Sequence, residues 1–471
     1  MKAINRRDMV KGMLRLGVAC GLPFGSVAAS QARRILVVGA GLSGLYAAKI
    51  LEQFGYSVQI VEGRERVGGR VCTLDDVIGR PECGANLLGP NYGRLLNLAQ
   101  QLKITLRQPA ATLPFDYSID GHRLSADKWG TWGQNPLPSA LKHLTPDHIA
   151  SHFLSDNPLV RSSDWRDPMQ SGLDVSALEY FMRRGLNTRA IDLIDINNSY
   201  GNTLKNTSIL SLFRTQKNRS RAISMQQPVW EVALGNMRLP EAMAGSLSSS
   251  VELGQKITGV QRVAGVIRAE TEKGRHYEAD GIILALPVGA VREIYFTPSL
   301  DKTQRHALTE IAYHKVTQVH LLAHEPFWER DEMSASCWTN GPLGRIFTRP
   351  SMDGQSYNIT IWINGDACDQ FDCLPASEAT EKILKYFYAL YPSARDHVSF
   401  QKLVQWQNDR FSQGAWAIWE PGQIERFADI LQRPTGNIFF AGEHTAYANS
   451  GMEGAAESGE RAAMQAMRAL L

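Results

Sequence analysis

Apolar positions along the chain change their period in an order that names the first elements. Arg34-Ile35-Leu36-Val37-Val38 is a short β-branched run that predicts a buried strand, and helical spacing follows through Leu45, Ala48 and Leu51. A second strand-like run, Ser57-Val58-Gln59-Ile60-Val61, comes next. Between the first strand and the helix lies Gly39-Ala40-Gly41-Leu42-Ser43-Gly44. Further strands are expected at Val251-Glu252-Leu253 through Ile257 and at Ala279 to Pro287. Near the end, Asn437-Ile438-Phe439-Phe440-Ala441 predicts a strand, and Gly451-Met452-Glu453-Gly454 opens an Ala-rich helix to Leu471. Strands alternating with helices predict an α/β fold. The longest apolar run beyond the N-terminal segment, Ile282 to Val291, is short and broken by Pro287, so no transmembrane helix is expected.

The chain has 471 residues, which at roughly 150 per domain suggests two or three domains. Hydrophobic residues at 44% and charged residues at 21% exclude a disordered, collagen-like or coiled-coil chain. The six cysteines are too few and too scattered for a disulfide scaffold, and Cys368 and Cys373 are read as two unrelated thiols rather than a surface disulfide. A net charge of +3 is too small to argue for nucleic acid or a membrane surface. It also belongs to the first 29 residues, where Lys2, Arg6, Arg7, Lys11 and Arg15 face one acid, Asp8. There the basic Asn5-Arg6-Arg7 segment precedes a mostly apolar stretch, Gly12 to Ala19, and the small residues Ser26 to Ser30. That order predicts a signal peptide over residues 1–30 of the twin-arginine form, hence a periplasmic protein that folds around its cofactor before export.

The Gly39-x-Gly41-x-x-Gly44 turn gains weight from its place between strand and helix, and from Glu62, eighteen residues beyond Gly44 at the end of the second strand. Gly39 suits the tight turn, Gly41 lets backbone approach a pyrophosphate, and Gly44 lets helix and strand pack closely. The helix N-terminus beside Ser43 offers free N–H groups to phosphate, and Glu62 can accept from ribose hydroxyls. Glu62-Gly63-Arg64-Glu65-Arg66-Val67-Gly68-Gly69-Arg70 resembles the E-x-R-x-R-x-G-G-R extension of FAD enzymes of the glutathione-reductase-like superfamily, rather than NAD dehydrogenases. The Ala441-Gly442-Glu443 strand end and the helix N-terminus at Gly451 and Met452 suit the neighbourhood of an isoalloxazine, which carries negative charge when reduced.

Together these segments resemble the flavin-containing amine oxidase family. Ala233-Leu234-Gly235-Asn236-Met237-Arg238-Leu239-Pro240, Glu325-Pro326-Phe327-Trp328 and Trp406 through Gly414-Ala415-Trp416 have counterparts there, while residues 107–224 match only loosely. The resemblance implies a glutathione-reductase-like Rossmann FAD-binding domain from segments 33–106, 225–292 and 396–471. An interleaved α+β substrate-binding domain would come from 107–224 and 293–395. It also implies contacts to FAD from Asn86, Leu87, Ile257 and Trp406. The family activity it implies is oxidation of an amine by hydride transfer to flavin N5, giving an imine that water hydrolyses. That chemistry asks for orientation and electrostatics rather than a triad or metal, and neither a triad nor an HExxH spacing is found.

Four departures from the family pattern stand out. Ala415 takes the place of the cysteine that tethers FAD in monoamine oxidases, which implies noncovalent cofactor. Trp416 stands at one aromatic wall of the family's amine cage, while the opposite wall is Gly451, leaving space for a bulkier substrate or for a loop residue such as Tyr447. Gln318 falls where the family has a lysine that holds a water against flavin N5; Lys315, three residues earlier, takes that place only if the alignment shifts. Loss of that lysine suggests reoxidation by a periplasmic cytochrome or quinone rather than by oxygen. Leu87 replaces the arginine with which L-amino acid oxidases hold a carboxylate, so the chain resembles the amine-oxidising branch, with Arg184 or Arg214 as possible substitutes. Alternative readings are an L-amino acid oxidase, a desaturase or protoporphyrinogen-oxidase-like flavoenzyme, and a catalytically idle flavoprotein that serves as a binding partner.

Overall fold

Arg34–Val38 lies at the centre of a five-stranded parallel sheet, with Ser57–Val61 and Val251–Glu252 on one side and Gly281–Leu284 and Ile438–Phe440 on the other. This is a computed structural model, and it describes residues 32–351 and 354–471; the signal peptide expected at 1–30 lies outside the described residues. Ile35 through Val38 are buried on both sheet faces, which is why that strand is apolar throughout rather than alternating. One face is covered by the helix Leu42–Gln53 and the C-terminal helix Gly451–Ala469. The two helices meet through small residues: a Cβ on Gly459 would lie 2.2 Å from the Ser43 carbonyl oxygen, and Ala456, Ala462, Ala463 and Ala466 are fully buried.

A second sheet of four strands, His276–Ala279, Val266–Thr271, Ile257–Val263 and Tyr295–Thr297, flanks this unit. The third sheet has seven strands in the order Val398–Gln405, Val316–Ala323, Tyr357–Asn364, Arg345–Pro350, Ser336–Thr339, Phe115–Ile119 and His122–Leu124. Its two faces differ in a way that positions the site. Val319, Leu321, Ile359, Ile361 and Ile363 pack against the helix Ala376–Leu390, whereas Val316 and Trp362 join Trp406, Ala415 and Trp416. Alternation along a strand therefore sends Gln318, between Val316 and His320, to the second group's side.

Two segment boundaries differ from the sequence reading. Val398–Gln405, placed with the FAD-binding segments by the boundary at 396, pairs with Val316–Ala323 in the seven-stranded sheet. Tyr295–Thr297, placed beyond the boundary at 292, pairs with Ile257–Val263. Strand partners are set by contacts distant in sequence, which the local pattern does not carry. Among the described residues no helix is long and apolar enough to cross a membrane.

Candidate active site

One cavity of about 1860 Å³, its open mouth included, runs from the glycine turn to the face of the seven-stranded sheet. At its first end Gly39, Gly41 and Ser43 form the wall, and Gly44 lies just beneath it. Gly39 has φ +102°, and a Cβ on Gly44 would fall 1.9 Å from the Gly39 carbonyl oxygen, so the turn and the helix close on each other without room for a side chain. A Cβ on Gly41 would meet nothing within 4 Å, which leaves backbone open to the cavity at the helix N-terminus. Glu62 is held at the end of its strand because its two oxygens accept the Ala40 and Arg64 N–H groups at 2.8 and 2.9 Å. Arg64 donates to Ser412 Oγ at 2.8 Å, pairs with Asp409 and lies over the Phe411 ring. Ile257 and Gly69 complete this half. An extended dinucleotide fits these groups: open N–H donors for its phosphates and a carboxylate acceptor for ribose hydroxyls.

Residues far apart in sequence meet in the middle of the cavity. Arg70 donates to the Ala415 carbonyl and to Glu443 Oε1, both at 3.0 Å, and the same oxygen accepts the Ala417 N–H at 3.0 Å. Trp406 donates its indole N–H to the Cys83 carbonyl at 2.8 Å, and Cys83, whose thiol donates to the Cys72 carbonyl, is part of the wall. Gly442 donates its N–H to Ser458 Oγ at 2.9 Å, and Gly451 and Met452 bring the positive end of the C-terminal helix to the cavity.

The far end is aromatic. Trp416 stacks on His314 with ring centroids 4.9 Å apart and donates its indole N–H to the Ser199 carbonyl at 2.9 Å, so the ring is held from both sides. Burial pulls His314 down to about 4, leaving it neutral at pH 7. Gln318 is 1% exposed, faces Trp362 across the strand pair, and has His320 Nε2 at 3.1 Å from its Oε1. Burial likewise lowers His320 to about 4, so neither residue brings positive charge. Gly451 also lines the cavity, and a Cβ there would meet only the Tyr92 hydroxyl, at 3.6 Å.

Comparison with known proteins identifies this arrangement, because residues 42–467 match the flavin containing amine oxidoreductase family. The chain belongs to that family. It is 24% identical over 463 residues to mouse amine oxidase [flavin-containing] B, covering 93% of this chain and 86% of that protein. It is 25% identical over 473 residues to the L-amino-acid oxidase of Bungarus fasciatus, covering 93% and 88%. Its fold is that of putrescine oxidase bound to putrescine (TM-score 0.76, 21% identity, 93% and 99% covered). The same holds for cyclohexylamine oxidase from Brevibacterium oxydans (TM-score 0.77, 20% identity, 93% and 100% covered). The protein is an FAD-dependent amine oxidase or dehydrogenase, and the α/β architecture is that of the family.

Within this amine oxidase fold several expected site residues lie elsewhere. Lys315 is corrected outright: its Nζ binds Asp366 at 3.0 Å and Asp369 at 2.8 Å, outside the cavity. It precedes the strand on the odd-numbered side, like Thr317, which donates to Asp372 at 2.6 Å. Asn86 lines a second cavity with Glu82, Arg107 and Arg345, and its carbonyl accepts from Asn236; Leu87 lines neither cavity. The loop path there is set by Leu88 pairing with Trp230, a contact distant in sequence. Tyr447 does not fill the space opposite Trp416, because it is half exposed with Arg166 over its ring. Arg184 pairs with Asp156 at the surface, whereas Arg214 lines the cavity. Cys368 and Cys373 are both free thiols. Tyr200, Thr215, Trp362 and Trp419 were not anticipated. Alternation in Tyr357–Asn364 marks one of them, since Asn358, Thr360 and Trp362 share the face opposite three isoleucines.

Proposed function

We propose that this enzyme oxidises the C–N bond of an amine at the Trp416 end of the cavity, using FAD held without a covalent bond. The observation that supports this reading is the continuity of one cavity from the glycine turn and Glu62 to Trp416 and Gln318. When bound, FAD supplies the two-electron acceptor for the hydride that leaves the amine carbon. The amine becomes an imine, and water converts it to a carbonyl compound and a free amine or ammonia.

The chain's own residues orient and exclude. Trp416, fixed by His314 and Ser199, offers an apolar, polarisable face to the amine. The Gln318 amide, its oxygen engaged by His320, presents N–H donors that hold a water. Arg70 and Glu443 tie the wall segments at Ala415 and Ala417 together. Ala415 has no nucleophile to offer the cofactor, so FAD leaves the protein on denaturation.

With a neutral glutamine rather than a lysine at position 318, electrons pass to a periplasmic acceptor, a cytochrome or quinone, faster than to oxygen. Residues 1–30 direct export by the twin-arginine route, consistent with such an acceptor. The test is to reduce the holoenzyme with an amine anaerobically and mix it rapidly with air-saturated buffer, or with a soluble c-type cytochrome or a quinone analogue. Slow reaction with air and fast reaction with one of the other two is expected. Rapid reoxidation by air with stoichiometric peroxide contradicts the acceptor, and failure of every amine to bleach the flavin contradicts the function.

A further inference from the structure

The helix Ile209–Ser224 buries its first turns, and Arg214 is the charged side chain among those buried residues. It is 7% exposed, and its guanidinium lies 3.9 Å over the Trp165 ring. With Ser211 and Thr215 of the same helix it lines the cavity. Among the described residues no hydrogen bond or ion pair reaches it, and its Nε is sealed off without a partner. Neighbouring carboxylates are engaged elsewhere. Glu443 serves Arg70 and the Ala417 N–H, and Glu457 accepts the N–H groups of Tyr447, Ala448 and Asn449. The nearby cation Arg166 has its own partner in Asp429 and adds only repulsion. Burial draws Arg214 down to about 10, which leaves it charged at neutral pH.

Glu443 and Glu457 act on this guanidinium only through space, and a buried guanidinium without a hydrogen-bonded counter-charge is unfavourable, so an anion entering the cavity relieves it. The flat face is occupied by Trp165, so the N–H groups at the guanidinium edge remain, a planar fork that matches a carboxylate. Ser211 and Thr215 donate their hydroxyls to carbonyls of their own helix, at 2.8 and 3.1 Å, and so do not compete for that anion. We propose that Arg214 is the carboxylate-binding residue of the substrate half of the cavity, and that the amine oxidised here carries a carboxylate. This rests on the amine oxidase reading and names the substrate class within it. The arginine comes from a helix of the substrate half, not from the Gly84–Pro90 loop, where Leu87 stands.

Two readouts on the holoenzyme test it. Benzoate, an anion with no amine to oxidise, is titrated against the visible flavin spectrum, with benzyl alcohol as the uncharged control. Amines differing by one carboxylate, phenethylamine against phenylalanine and propylamine against 4-aminobutanoate, are compared for anaerobic flavin reduction. Benzoate is expected to bind and benzyl alcohol not, and in at least one pair the carboxylate member should reduce the flavin more efficiently. Arg214→Met should weaken benzoate by about thirtyfold or more and erase the preference, while Arg214→Lys keeps part of both. Flavin content and melting temperature show that each variant is folded. Benzoate binding that is absent, or unchanged in Arg214→Met, overturns the proposal. So does a variant that slows all amines equally and lowers the flavin potential, since Arg214 then serves the cofactor. If benzoate binding depends on Arg214 but no amine of either kind bleaches the flavin, the anion site stands and the amine oxidase reading fails.

Discussion

Gln318 carries the sharpest electrostatic consequence of any single residue in the site. Its neighbours His314 and His320 are held neutral by burial, so the strand face between Trp362 and Val404 brings no charge to the cavity. Gln318→Lys adds a cation there, and the rate of reoxidation by oxygen should rise by roughly tenfold to a hundredfold, the size of one preorganised charge. Stopped-flow mixing with air-saturated buffer measures it, and an unchanged rate separates oxygen reactivity from position 318. The choice between Lys315 and Gln318 was legible only as far as strand alternation allowed, because the side chain of Lys315 is settled by Asp366 and Asp369, which lie in a distant helical segment. Nothing local in the sequence tells Arg214 from Arg184; burial against Trp165 does so.

At the scale of elements, the glycine turn separates two roles. A Cβ at Gly44 collides with backbone, so Gly44→Ala should destabilise the apoprotein by roughly 1–3 kcal/mol, seen in its denaturant midpoint. A Cβ at Gly41 enters only the cavity, so Gly41→Ala should leave apoprotein stability nearly unchanged and reduce flavin content instead. The reverse pattern contradicts the placement of the cofactor at this turn. These elements were legible because each is local: an apolar strand, a glycine turn, a helical period and a second strand occupy residues 34–61 in one unbroken stretch. The strand Val398–Gln405 was legible as part of the chain's far segment but not in its allegiance, since its partner lies eighty residues upstream at Val316–Ala323.

The whole molecule closes its site by joining distant segments, and that burial sets its response to pH. His314, His320 and His444 are each lowered to about 4 by burial, below the value of about 6.5 that the unfolded chain shows. The unfolded state takes up their protons first, so the stability they confer is complete above pH 6.5 and is lost as pH falls toward 4. Three such groups set a limiting slope of roughly 4 kcal/mol per pH unit. Glu82 works in the opposite sense: burial raises it to about 8, so its contribution is complete below 4.5 and is lost as pH rises toward 8. Urea midpoints should fall as pH drops below 6.5, where the three histidines outweigh Glu82, and Glu82→Gln should flatten the decline between pH 6.5 and 8. An acid limb that stays level contradicts the neutral buried histidines.

The family and its cofactor turn were legible from end to end because the motif residues lie at the two ends of the chain. The substrate half was not, because Tyr200 and Trp419 come from two loops, Thr215 from a helix and Trp362 from a strand, which only tertiary packing gathers. Anaerobic titration of the purified yellow holoenzyme with amines, with and without a carboxylate, tests the account most directly. One equivalent of a substrate amine is expected to bleach the visible flavin band completely, with one equivalent of carbonyl product formed and all flavin released on acid precipitation. A spectrum that no amine alters contradicts it.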